Sequence, residues 1–95
     1  MEGAHLGNLG NAYSDLGETR RAIEFYEQQL VISREIGDRR SEGIALWNMS
    51  LALDQLGDRA QAILDAKDAL KIYEQIEHPS AGKVRNRLAE WREQE

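Results

Sequence analysis

The chain has no cysteine, a single proline and two histidines, and each scarcity removes a class of protein. Without thiols there is neither a disulfide framework nor a thiolate metal site, and nothing asks for an oxidising compartment. His5 stands in a first turn and His78 beside Pro79, with no cysteine to complete a zinc shell or a nucleophile–base pair. Both are therefore expected at the solvent-exposed surface, and no catalytic or metal-ligating residue is assigned. Basic residues number 12 against 17 acidic ones, a net charge of −5 with the signs interspersed. A nucleic-acid partner would want a basic stripe, so none is expected. Met1-Glu2-Gly3-Ala4-His5 offers no basic segment followed by an apolar run, which leaves no secretory signal and a cytoplasmic location as the expectation. With 31% charged and 41% hydrophobic residues, the chain is too charged to span a membrane and too apolar for a disordered tail.

What is present is a repeat. Leu16-Gly17 and Leu56-Gly57 lie 40 residues apart, and that offset also pairs Leu6 with Leu46, Asn8 with Asn48, Ala12 with Ala52, Ala22-Ile23 with Ala62-Ile63, and Leu30 with Leu70, without a gap. Small residues are preserved along with large ones, which marks duplication of one structural unit. Ninety-five residues suit one domain with a thin core.

Each unit reads as two helices. Leu6, Leu9, Tyr13 and Leu16 recur at three and four residues, as do Leu46, Met49, Leu53 and Leu56. Gly17 and Gly57 end those helices, since glycine takes the left-handed conformation required there. Second stripes follow in Ala22, Ile23, Tyr26, Leu30 and Ile36, and in Ala62, Ile63, Ala66, Leu70, Tyr73 and Ile76. Asp38 can cap the helix that carries Trp47, and Asp58 with Gln61 forms a candidate capping box. A fifth helix starts after Pro79, with Val84, Leu88 and Trp91 on one face.

Leu6-Gly7-Asn8-Leu9-Gly10-Asn11-Ala12-Tyr13, Leu16-Gly17 and Ala22-Ile23-Glu24-Phe25-Tyr26 together resemble the tetratricopeptide repeat (TPR) in its longer-period form. The resemblance implies an all-α fold of antiparallel helix-turn-helix units stacked as a short right-handed solenoid of about five helices. Gly10 falls where that family needs close helix approach. Ser50 replaces glycine there in the second unit, Leu53 replaces Tyr13, and Gln29 takes a slot that is usually alanine, as Ala69 is. The expected division is repeat 1 over 1–38, repeat 2 over 39–78 and a capping helix over 79–95. Arg85 and Arg92 replace large residues on that last helix, as suits the solvated end of a stack. The first helix lacks a clear N-cap and holds Gly3, Gly7 and Gly10, which suggests the C-terminal part of a longer array.

Acidic pairs such as Asp65 with Asp68 are ordinary on repeat helices, and the glycines follow no strand that would make them a dinucleotide motif. The chain is read as a binding module, not an enzyme, with no cofactor. The resemblance implies that first helices line a concave groove, placing Asn8, Asn11, Trp47, Asn48 and Leu51 there, with Gly7 and Glu42, and Lys83 and Arg87 from the cap. Asparagine both donates and accepts, so it can clamp a peptide backbone whatever its side chains. Trp47 has two candidate positions, an exposed hot spot in the groove or a ring lying on a neighbouring helix. Asn11, Asn48 and the Lys83/Arg87 pair also resemble the clamp by which co-chaperone TPR domains hold a C-terminal carboxylate, although Gly7 stands where that clamp has a lysine. The expected partner is a protein or peptide segment, with a C-terminal carboxylate as a variant. The alternatives are a self-associating module, as homodimer or domain-swapped assembly, and a regulatory sensor segment of a signalling NTPase.

Overall fold

Five helices follow one another in the computed structural model, which describes residues 2–94 and the side chains of residues 5–94. They are α1 (Glu2–Asp15), α2 (Thr19–Ile36), α3 (Arg39–Gln55), α4 (Arg59–Gln75) and α5 (Ala81–Glu93). All four turns use one backbone device. The N–H groups of Glu18, Asp38, Asp58 and His78 donate back to the carbonyls of Tyr13, Ser33, Leu53 and Tyr73 at 2.8–2.9 Å. The residue before each donor takes positive φ, at Gly17, Gly37 and Gly57, and at Glu77 with φ 55°. This is the six-to-one closure that satisfies terminal carbonyls and reverses the chain within a few residues. Short turns make consecutive helices antiparallel neighbours, so each packs chiefly on the next while α1 touches α3 only lightly. The result is a slab of 37 × 31 × 18 Å, about two helices thick.

The aspartates start helices as expected. Asp38 Oδ1 accepts from the Ser41 N–H at 3.1 Å, and Asp58 Oδ1 accepts from the Gln61 N–H at 3.2 Å. The capping box at Asp58 is only half formed, because the Gln61 side chain turns forward to Asp65 instead of back to the cap. Glu18, the equivalent of Asp58 at α2, makes no side-chain cap bond. The N-cap expected to be missing at α1 lies outside the described residues.

The core lies mostly in the second unit and α5. Leu46, Trp47, Ile72, Tyr73, Val84 and Trp91 form one buried cluster, joined from the first unit by Leu30. Each large side chain buried there stabilises the fold by about 1.5–3 kcal/mol before its entropy cost. Among the described residues, the first unit's other buried hydrophobic side chains are Ala22 and Tyr26. Trp91 is flanked by cations, with the Arg59 and Arg87 guanidinium carbons 5.4 Å and 5.9 Å from its ring centroid. Arg85 and Arg92 face outward, Arg85 pairing with Glu74 at 2.8 Å.

Periodicity overextends the stripes at their ends. Leu16, Ile36, Leu56 and Ile76 are all exposed, each at the C-terminal end of its helix. His78 is not free in solvent either. It is half-buried, stacks on Tyr73 with centroids 4.4 Å apart, and accepts the Ser80 N–H at Nδ1. Among the described residues no helix is long and apolar enough to cross a membrane, and no cluster of three or more histidines and carboxylates could hold a metal.

Candidate functional site

Four of the expected groove residues, Gly7 and three asparagines, converge. Asn8 and Asn11 on α1 and Asn48 on α3 line a cavity of about 350 Å³, together with Gly7, Gln29, Ser41 and Ile44, and with Asp38 and Arg40 at its charged rim. Asn8 and Asn11 share one face of α1 at i,i+3 spacing, and Asn48 repeats Asn8 on α3, so the sequence period itself brings the amides together.

The packing beneath this cavity explains its shape. Gly10 lets α2 approach α1 closely, and a Cβ there would lie 2.5 Å from Tyr26 Cε1. The Tyr26 hydroxyl, brought into place by that approach, donates to Asn11 Oδ1 at 2.6 Å. Burial, reinforced by the negative charge of Asp15, raises the Tyr26 pKa above its usual value, so the phenol keeps the proton it donates. With its oxygen engaged, Asn11 presents its NH₂ group as a donor.

Gly7 does the same for a different side chain of α2. A Cβ on it would lie 2.9 Å from Gln29 Oε1, so the bare backbone of α1 packs directly on the Gln29 amide. That residue is 3% exposed, and its Nε2 donates to Ser41 Oγ at 3.0 Å. Gln29 Oε1 is left buried with no hydrogen-bond partner, a state that costs about 1–3 kcal/mol unless something supplies a donor. In the sequence Gln29 stands out as an unusual residue in an alanine slot, yet nothing there assigned it to the groove. A signal was available, since residues 7 and 29 change together to Trp47 and Ala69 at the 40-residue offset.

The remaining expected residues are placed elsewhere. Trp47 is only 9% exposed and belongs to the buried cluster; of its two candidate positions it takes the packed one, and it is not an exposed hot spot. Leu51 is half-buried and packs against that cluster. Glu42 is buried and held by Arg34 at 3.2 Å and Arg39 at 3.1 Å. Neither Lys83 nor Arg87 lines the cavity that gathers the asparagines. Lys83 is exposed on α5, while Arg87 lies over Trp91 with Glu90 at 3.6 Å. In the core, burial pushes the Tyr73 hydroxyl up to about 12 against the opposing charge of Arg40. The cavity offers amide and hydroxyl hydrogen-bonding groups beside one charge of each sign.

Comparison with known proteins agrees with this architecture. A tetratricopeptide repeat family model matches residues 2–75, which is α1 through α4. Human G-protein-signaling modulator 1 is 43% identical over 54 residues, covering 57% of this chain and 8% of that protein. The Mus musculus protein of the same name is 44% identical over 46 residues, covering 48% of this chain and 7% of its own length. The chain thus spans less than a tenth of the length of these relatives.

Proposed function

This chain belongs to the tetratricopeptide repeat family, a family of non-catalytic protein-interaction modules, and we propose that it holds an extended segment of a partner protein in the groove between α1 and α3. The observation that carries this reading is the convergence of Asn8, Asn11 and Asn48 on one cavity, with the Asn11 amide orientation fixed by Tyr26. Amides spaced along a groove can pair with successive backbone groups of a peptide, giving affinity that tolerates varied side chains. Lys83 and Arg87 add positive charge on α5 and would favour an acidic end of the bound segment. The likeness to G-protein-signaling modulators supports a place in a signalling protein, as a docking segment for another component.

A peptide selected from a random display library provides the test. Asn48→Ala and Asn11→Ala should each weaken its binding about tenfold, the scale of one or two lost hydrogen bonds, while the helical circular dichroism stays unchanged. Arg87→Glu should weaken it less. Unchanged affinity in both asparagine variants would exclude the groove as the binding surface.

A further inference from the structure

We propose that Gln29 and Ser41 form a seat for a primary carboxamide, so that the bound segment carries an asparagine or glutamine whose side chain enters between α1 and α3. This rests on the reading that the groove holds a partner segment. Gln29 is 3% exposed and Ser41 is 8% exposed, so both hydrogen-bonding groups are fixed within the wall of the cavity rather than waving at its rim. Their mutual bond, Gln29 Nε2 to Ser41 Oγ at 3.0 Å, sets the orientation of the amide. It leaves Gln29 Oε1 as the buried side-chain polar atom without a partner among the described residues. Ser41 Oγ receives that N–H on a lone pair and keeps its own hydrogen to give. Gln29 Oε1 is therefore free to accept and Ser41 Oγ free to donate, on two residues that line the same cavity.

The complement of such a pair is a group with an N–H and a carbonyl on the same side. A trans peptide unit points its N–H and C=O in opposite directions, so a partner's main chain cannot satisfy both atoms at once. A primary carboxamide has an N–H syn to its carbonyl and can. Its N–H would donate to Gln29 Oε1 while its oxygen accepts from Ser41 Oγ. A carboxylate brings no donor and would set its charge against Oε1, and an ammonium brings no acceptor for Ser41. The lining is electrically balanced as well, with one acidic residue, Asp38, and one basic residue, Arg40, and Asp38 is already engaged in capping α3. An uncharged ligand group is what this balance favours.

Gly7 keeps the Gln29 amide in the cavity wall, since any side chain at that position would meet it. The second unit carries Trp47 at the equivalent position, over Ala69 in place of Gln29, and both of those residues are buried in the core. The first unit has the opposite arrangement, with no side chain on α1 and the polar group on α2.

The test titrates small probes into the intact chain and follows the Ser41 backbone N–H and the Gln29 side-chain NH₂ in ¹H–¹⁵N spectra. Propionamide should shift both signals saturably, and about tenfold more tightly than propionate, propylammonium or N-methylacetamide, as expected of a site built to pair a specific polar group. Gly7→Trp combined with Gln29→Ala copies the second unit and should lose the Ser41 response with helicity retained. Gln29→Met, which keeps the length without the amide, should lose it too. Equal binding of N-methylacetamide would mean that the seat reads main chain, and equal binding of propionate that it reads charge; either overturns the proposal, as does the absence of any response. The asparagine variants test the groove separately, so these failures leave that reading standing.

Discussion

The two repeat units share a backbone plan but divide their bulk differently between their helices. In the first, α1 carries Gly7 and Gly10, and α2 answers with Gln29 and Tyr26, whose side chains fill the space that the glycines leave. In the second, α3 carries Trp47 and Ser50, and α4 answers with Ala69 and Ala66, all four buried. A third position reverses the direction, since Gly43 admits Tyr73 where the first unit has Ser33 on its second helix. At three places a glycine on the first helix of a unit thus takes a large side chain of the second helix against it, as close packing demands. The difference decides where function sits. Bulk on α3 builds the core, whereas its absence from α1 leaves an open, amide-lined cavity.

The sharpest way to break this comparison is to add one methyl group. Gly10→Ala would place a Cβ 2.5 Å from the Tyr26 ring, and the overpacking should cost roughly 1–3 kcal/mol in urea unfolding. Alanine itself favours helix over glycine by about 1 kcal/mol, so a net loss shows that the clash wins. Gly10→Ser with Tyr26→Ala, which copies Ser50 and Ala66, should cost less than the sum of its two single substitutions. A variant as stable as the parent would deny that Tyr26 needs the glycine.

A smaller effect of opposite sign comes from the turns. Gly37 closes the first unit at φ 72°, and its equivalent in the second is Glu77 at φ 55°. Glu77→Gly should therefore raise stability by about 1 kcal/mol, relieving the left-handed strain of a residue with a Cβ. A thermal midpoint that does not rise would mean that the Glu77 side chain compensates for its backbone.

The subtlest difference is titratable. Phe25 stacks on Tyr13 at 5.3 Å in the first unit, while Asp65 takes the equivalent place in the second and is 7% exposed. Burial raises the Asp65 pKa above its usual 3.8, with Gln61 and Arg34 pulling it down and Asp68 and Asp58 pushing it up. A raised folded-state pKa means that the proton binds more tightly to the folded chain, so this residue's favourable contribution is full below its unfolded pKa. It is lost as pH climbs through the folded value. Asp65→Asn should accordingly raise the melting midpoint near neutral pH, and the advantage should vanish once pH falls below the usual carboxylate range. A constant difference across that span would point to packing rather than charge.

Much of the fold was legible because repeats state their own register. Gly10, Gly17, Gly57, Asp38 and Asp58 each carry a local backbone requirement, and each sits where its neighbours in sequence predict. The asparagines were legible for the same reason, since a period of 40 carries Asn8 onto Asn48. Trp47 was not, because helical periodicity gives the direction of a side chain and leaves open what lies in front of it. His78 departs from its expected exposure through the same gap, as nothing adjacent in sequence announces Tyr73 as its stacking partner. Gln29 was visible as an exception, but its meaning lay in a residue on the preceding helix, and only the folded hairpin sets Gly7 against it.

That last pair is where the two units differ most, and a double-mutant cycle of unfolding free energies over Gly7→Trp and Gln29→Ala tests it. Gly7→Trp alone should destabilise strongly, because it drives a ring into the Gln29 amide, and Gln29→Ala alone should leave a cavity. Together they should reproduce the arrangement of Trp47 with Ala69, with a coupling of at least about 1 kcal/mol in favour of the double variant. Additivity within about 0.5 kcal/mol would contradict the claim that the first unit moved its bulk from one helix to the other and opened the groove by doing so.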